Sequence, residues 1–133
     1  MTAGGPVPDA RGAYAVSGQG TDSNCANPID NGSVPISGEL RITSQTGANF
    51  IGSATLNETK EGNLFRFEIT LSGSINAAGQ FSGTFTCMQF KDGIPGSCNG
   101  GSLSGSLAGN VITLTVTPQP GNCTTVVSLS GSR

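Results

Sequence analysis

The hydrophobic positions of this chain recur around a short unit that reads apolar, Ser, Gly, small polar, apolar. Two copies, Leu71–Ile75 and Phe81–Phe85, flank the turn-forming stretch Asn76–Gly79. Looser copies begin at Ile36, Leu103 and Leu129. Apolar and polar residues alternate with a period of two, which is typical of strands whose two faces meet different surroundings. Because no window shows the period of an amphipathic helix, the pattern predicts an all-β protein.

The glycines of these units lie on the apolar face of the predicted strands. Gly83 shares a face with Phe81 and Phe85, while Ser82 and Thr84 occupy the opposite face. The same parity holds for Gly18, Gly38, Gly52, Gly73, Gly105 and Gly131. A glycine inside a strand usually marks a bend or a close approach of two backbones. Its repetition on one face favours a sheet that coils tightly and closes into a barrel.

Eight strands joined by mostly short turns are predicted. They span about residues 12–20, 34–44, 49–57, 63–74, 80–90, 101–107, 111–117 and 123–131. We therefore expect an eight-stranded antiparallel up-and-down β-barrel. A β-sandwich is the alternative, because two packed sheets give the same strand spacing. Residues 1–10, rich in Gly and Pro, are predicted to form a flexible tail or linker, and residues 11–133 a single domain.

The alternation of strand direction places the longer loops at one end of the barrel, the top end. These loops span about residues 21–33, 58–62, 91–100 and 118–122. Cys25 follows the first strand and Cys123 opens the eighth, and these strands are neighbours only if the barrel closes. Cys87 and Cys98 flank the top of one hairpin. We therefore predict the disulfides Cys25–Cys123 and Cys87–Cys98.

Composition narrows the compartment and the class of function. Four cysteines in a small chain without histidine favour disulfides over a zinc site, and hence a secreted, periplasmic or cell-surface location. A net charge of −2 without a basic stripe argues against a nucleic-acid partner. No apolar run is long enough for a membrane span. The absence of histidine also excludes Ser-His-Asp and Cys-His catalysis, and no glycine motif for a phosphate cofactor is present.

Two groups of polar residues at the top end remain as candidates for chemistry. Paired carboxylates could hydrolyse a glycosidic bond, so a carboxylate-based hydrolase is kept as an alternative to the non-enzymatic function that we expect. Its candidate residues are Asp22, Asp30, Glu58, Glu61 and Asp92. A calcium site is the other candidate, because calcium prefers oxygen ligands, although Asp and Asn are also common turn residues. Its ligands would be Asp22, Asn24, Asp30 and Asn31. No cofactor is predicted.

Two functions agree with these features. The first is a structural or protein-interaction role in an extracellular assembly, in which the N-terminal tail could pair with an open strand edge of a neighbouring subunit. The alternative is a barrel that binds a small apolar ligand at its top end. In architecture alone the predicted barrel is similar to lipocalins and avidins, but the tryptophan-bearing first strand of those families is missing. The cavity would be lined by Tyr14, Phe50, Phe65, Phe67, Phe81 and Phe85, unless these rings simply fill the core.

Overall fold

The computed structural model describes residues 6–133 as eight antiparallel strands and one short 3₁₀ helix. The strands are β1 (Gly12–Ser23), β2 (Gly32–Thr46), β3 (Asn49–Lys60), β4 (Asn63–Ile75), β5 (Gln80–Lys91), β6 (Ile94–Ala108), β7 (Val111–Pro118) and β8 (Thr124–Ser132), and the 3₁₀ helix is Pro28–Asp30. Each strand pairs with the next, and β8 pairs back to β1, so the sheet closes. The predicted eight-stranded meander barrel is thereby confirmed, and the β-sandwich alternative is excluded.

The inner face of the barrel sets large apolar residues opposite glycines on the neighbouring strands. Gly18 pairs with Ile36 on one side and with Leu129 on the other. Phe81 lies opposite Gly105 in the same way. Among residues 6–133, the cavities between core side chains include two of about 10 Å³ each, close to the smallest space that can hold one water molecule. The interior is therefore filled by side chains, as expected for a barrel of eight strands.

Glycine is required where the strands approach most closely, and the β1–β8 seam shows why. A Cβ atom added to Gly18 would collide with the carbonyl oxygen of Ser128, and one added to Gly131 would collide with that of Ala15. Because the obstacle is backbone, no change of side-chain rotamer can relieve it. The inner-face glycines therefore mark close backbone approaches, as the sequence pattern predicts.

Tyr14 and Arg133 close the bottom end of the barrel. Tyr14 is completely buried, and its hydroxyl donates a hydrogen bond to the carbonyl oxygen of Ala10 at 2.7 Å. Nη1 of Arg133 donates to the Tyr14 hydroxyl oxygen at 2.9 Å, and Nε donates to Oδ1 of Asn110 at 3.0 Å. The guanidinium thus joins the end of β8 to the start of β1 and to the β6–β7 turn. Burial raises the pKa of the Tyr14 hydroxyl, so it remains a neutral donor.

The segment before β1 packs against the same end. Ala10 is buried and Val7 contacts the core. The side-chain amide of Gln45 accepts a hydrogen bond from the Ala10 N–H at 2.7 Å and donates one to the Pro8 carbonyl at 2.8 Å. Part of the predicted tail, residues 7–10, therefore packs against the barrel, which the sequence did not indicate. Residues 1–5 of that tail lie outside the described residues.

The predicted loop at residues 91–100 is wrong. The structure instead has a two-residue turn at Asp92 and Gly93, with φ of 50° and 84°, and β6 begins at Ile94. Asp-Gly with two positive φ angles is typical of the type I′ turn that closes tight hairpins. The Gly and Pro residues after this turn belong to the extended β6 strand, where they were expected to form a loop.

The predicted charged turn at residues 58–62 is also too long. The turn consists of Glu61 and Gly62, with φ of 54° and 79°, and β3 continues to Lys60. Glu58 and Lys60 therefore continue the alternation of β3, on the face that carries Leu56. This places two charged side chains on the inner face at the top end.

Both predicted disulfides are confirmed. Cys25 bonds to Cys123 across 98 positions of sequence, and Cys87 bonds to Cys98 across 11. Beside the first bond, the Ala26 N–H donates to the Asn122 carbonyl at 2.8 Å. Two disulfides indicate an oxidising compartment. Among residues 6–133, no helix has the length and hydropathy needed to cross a membrane.

Replacement of Gly131 by alanine is expected to lower the free energy of unfolding by about 2 kcal/mol, because the new methyl group meets the Ala15 carbonyl at the β1–β8 seam. Urea unfolding with both disulfides intact measures the loss. Gly96→Ala is the matched control, since the nearest atom to a Cβ there is the Gln89 carbonyl oxygen at 3.9 Å. Equal losses in the two variants would contradict this account of the seam.

Removal of each disulfide by paired serine substitution is expected to have unequal effects. The loop closed by Cys25–Cys123 has 98 positions, so its loss should cost about 4.7 kcal/mol of unfolding free energy in the chain-entropy treatment. Loss of Cys87–Cys98, with 11 positions, should cost about 3 kcal/mol. Thermal and urea unfolding of the two double variants provide the comparison. A larger loss for the short loop would show that native-state contacts, and not loop entropy, determine the effect.

Candidate ligand-binding cleft

A cleft of about 570 Å³, here called the top cleft, opens above the filled core at the top end. Its volume falls in the range of about 300–1,000 Å³ that is usual for ligand sites. The lining comes from the upper ends of β1 and β3 to β8 and from the β7–β8 loop. It comprises Asp22, Glu58, Lys60, Phe65, Phe67, Gln89, Ser97, Cys98, Asn99, Pro118, Gln119, Gly121, Asn122, Cys123 and Thr125.

One wall of the top cleft carries charged side chains. Oδ2 of Asp22 lies 3.3 Å from Nζ of Lys60, and Oδ1 accepts a hydrogen bond of 2.6 Å from the Thr125 hydroxyl. The intervening strand β2 presents Gly32 opposite Asp22. Because Gly32 has no side chain, β2 contributes no side chain at the position opposite Asp22. The Asp22 and Lys60 side chains are 25% and 31% exposed, so their ion pair is partly shielded from water.

Glu58 lies on the same wall and is half-buried. Burial raises the pKa of its carboxyl above the ordinary value of 4.5, and the negative charge of Asp22 raises it further, while Lys60 opposes both effects. The Glu58 carboxyl therefore holds its proton to a higher pH than a solvated glutamate does. In the protonated form it can donate as well as accept a hydrogen bond.

The next wall is aromatic. Phe65 and Phe67 are two positions apart on β4, so both project from its inner face. Their ring centroids lie 6.4 Å apart and their planes differ by 10°. Both rings are half-buried, and Phe67 also packs against the core. We call this pair the phenyl platform.

The remaining wall is rich in side-chain amides. Gln89 comes from β5, Asn99 from β6, and Gln119 and Asn122 from the β7–β8 loop. Nδ2 of Asn99 donates to the Gln119 carbonyl at 3.2 Å, which links β6 to that loop. Each amide side chain offers both donors and acceptors. This wall can therefore donate hydrogen bonds to a ligand and accept hydrogen bonds from it.

Both disulfides reach the rim of the top cleft. Cys98 and Cys123 line it, and their partners Cys87 and Cys25 connect it to β5 and to the β1–β2 loop. The rim is thus covalently tied on two sides. Such ties limit the movement of the loop-borne amides before a ligand arrives.

The structure divides the six rings that were predicted to line a ligand cavity. Tyr14, Phe50, Phe81 and Phe85 are buried in the core, where Phe50 and Phe81 make an edge-to-face contact with centroids 6.0 Å apart. Only Phe65 and Phe67 line the open space.

The polar candidates are divided as well. Of the five carboxylates proposed for hydrolysis, Asp22 and Glu58 line the top cleft. Asp92 accepts a hydrogen bond from the Leu64 N–H at 2.9 Å and thereby supports a turn. Glu61 lies in the β3–β4 turn, and Asp30 ends the 3₁₀ helix.

Two of the four residues of the calcium candidate, Asp22 and Asn31, have other side-chain partners. Asp22 is engaged by Lys60 and Thr125, and Oδ1 of Asn31 accepts from the Cys25 N–H at 3.0 Å. Asn24 occupies a loop position with φ of 50°. Across residues 6–133, no group of three or more His, Cys, Asp or Glu side chains is placed to hold a metal ion. The calcium site stays a prediction.

Replacement of Glu58 by glutamine is expected to raise the free energy of unfolding at pH 7 relative to the wild type. With a raised pKa, the folded state gains proton-linked stability that is fully present below the unfolded-state value of 4.5 and is lost as pH rises through the folded-state pKa. Glutamine removes this loss, so the difference between variant and wild type should disappear in acid. Urea unfolding from pH 3 to pH 8 measures it.

Glu61→Gln serves as the control for this series, because Glu61 is exposed in the adjacent turn. It removes one acidic side chain at the same end of the barrel without changing the lining of the top cleft. A Glu58→Gln variant that is less stable than the wild type at pH 7 would mean that the attraction of Lys60 outweighs burial and the repulsion of Asp22.

Comparison with known proteins does not add to this geometry. Neither protein-family models, nor curated proteins, nor solved structures show a match to the chain. The functional inference therefore depends on the residues of the top cleft.

Proposed function

We propose that this protein is an extracellular binding module that holds a small ligand in its top cleft. The observation that carries this proposal is the contrast between the two ends of the barrel. Tyr14 and Arg133 close the bottom end, whereas the top end opens into about 570 Å³ lined by charged, amide and aromatic side chains. Clefts with an apolar surface and a few convergent polar groups are the usual sites of small ligands.

The ligand has both a polar and an apolar surface. The core cavities of about 10 Å³ leave no room for an apolar chain to enter the barrel. A wholly apolar molecule in the top cleft would cover Asp22, Glu58 and the amides without replacing their hydrogen bonds to water, which is unfavourable. An amphipathic molecule avoids this cost by placing its apolar surface on the phenyl platform. The proposal thus keeps the top end of the barrel as the site but changes the ligand class from apolar to amphipathic.

A structural or interaction role in an extracellular assembly is the second candidate. One observation supports it, because Leu64, Met88 and Ile94 are between 50% and 71% exposed near the top of β4, β5 and β6. Each of the eight described strands has two neighbours, so pairing of the tail with a free strand edge is not the route of such an assembly. A role of this kind needs no ligand, and a ligand titration separates the two candidates.

Titration of the ¹⁵N-labelled protein with a panel of small soluble compounds is expected to shift backbone amides around Phe65, Phe67 and Gln89. The panel contains neutral disaccharides, aromatic ammonium compounds, fatty acids and short peptides. Gln89→Trp, which fills the top cleft, should weaken binding by about tenfold or more, whereas Gln19→Trp on the exposed outer face of β1 should not. Shifts confined to the outer face, or none in the top cleft, would overturn the proposal.

A further inference from the structure

We infer that the ligand of the top cleft is a short neutral saccharide whose ring lies against the phenyl platform and whose hydroxyl groups bond to the amide and carboxylate walls. This inference rests on the proposed function and names the chemistry of the same site.

The phenyl platform matches the apolar face of a sugar ring. A pyranose has axial C–H groups on one face and hydroxyl groups around its edge. An aromatic ring carries negative charge density on its face, which attracts weakly positive C–H groups. Phe65 and Phe67 are nearly parallel, with planes 10° apart, and both contribute to the lining of the top cleft. The two rings are stacked, with centroids 6.4 Å apart, and each contributes apolar surface to the top cleft.

The other walls match the hydroxyl edge of the sugar. A hydroxyl group donates one hydrogen bond and accepts others, so it suits a surface that offers both functions. Gln89, Gln119 and Asn122 line this surface and carry side-chain amides. The carboxylates of Asp22 and Glu58 supply further acceptors, and Lys60 supplies a donor. Polar residues that can donate or accept hydrogen bonds thus lie on the strands at both sides of the phenyl platform.

The charges of the top cleft favour a neutral ligand. The Asp22 carboxylate is neutralised by Lys60 at 3.3 Å and is held by Thr125. Glu58 would repel a phosphate or an acidic sugar. Apart from Lys60, which is paired with Asp22, the described lining holds no basic side chain that could offset this repulsion. A planar cation could stack on the phenyl platform. The Lys60 ammonium group, which lies on the same wall as Glu58, would repel it. The carboxylates would repel the head group of a fatty acid, and the filled core leaves no room for its chain.

The test uses the full chain with both disulfides intact, labelled with ¹⁵N. Cellobiose, N,N′-diacetylchitobiose, maltose and mannobiose are the saccharide probes, and benzyltrimethylammonium, decanoate and short peptides are the comparison probes. At least one saccharide should shift the amides around Phe65, Phe67 and Gln89 in a saturable way. Phe65→Ala should weaken that binding by about three- to tenfold, the value of one lost aromatic contact.

Phe90→Ala is the matched control. Phe90 is also a half-buried phenylalanine near the top end, but it lies outside the top cleft, with the Arg66 guanidinium 4.3 Å from its ring centroid. Its variant should bind the saccharide as the wild type does. Phe65→Leu keeps an apolar side chain at the same position without the ring. It replaces Phe65→Ala in the comparison if the alanine variant loses the wild-type pattern of amide signals.

The outcomes separate the inference from the proposed function. If only a comparison probe shifts the top cleft, the saccharide inference is overturned and the proposed function stands. If no probe of the panel shifts the top cleft, both are overturned. If a saccharide binds but Phe65→Ala and Phe90→Ala have equal effects, the assignment of the phenyl platform as the sugar contact is overturned.

Discussion

Close approach of neighbouring backbones on the inner face is the constraint on which this barrel depends. Eight strands can surround a filled interior only if they coil strongly, and the carbonyl oxygens of adjacent strands then occupy the space of a side chain. Gly18 and Gly131 meet this requirement at the β1–β8 seam. The volume that glycines leave is filled by the large residues opposite them, as Phe81 does beside Gly105. The alternation of glycines with large apolar residues on the inner face therefore produces both the coiling of the sheet and the packing of the core.

The same alternation leads from the core to the top cleft. Along β3, the inner-face side chains pass from Leu56 to Glu58 and Lys60 without a break in parity. Along β1, the corresponding position beyond Gly20 is Asp22. The inner face therefore changes from apolar to polar at one level of the barrel. Below that level the side chains fill the core, and above it they line the top cleft.

Much of the fold could be predicted because period-two patterning is a local property of the chain. The parity of Gly83 with Phe81 and Phe85 predicts an inner-face glycine, and closure of the barrel predicts the Cys25–Cys123 disulfide. The top cleft was harder to predict because its lining residues come from seven strands and the β7–β8 loop. Lys60, Gln89 and Thr125 were missed as site residues. The signal that could have revealed them is the continuation of inner-face parity past the apolar stretch of each strand.

Local alternation and chain direction were enough to predict the all-β class, both disulfides and the placement of glycine on the inner face. They favoured the closed meander over a β-sandwich, and pairing of β8 with β1 in the folded chain decided between the two. Which polar residues meet became clear only in the folded chain. Asp22 and Lys60 are 38 positions apart and Asp22 and Thr125 are 103 apart, yet all three form one contact group. The tertiary structure also separated the phenyl platform from the four aromatic rings of the core. Such choices depend on strand stagger and turn length, which the closed sheet sets as a whole.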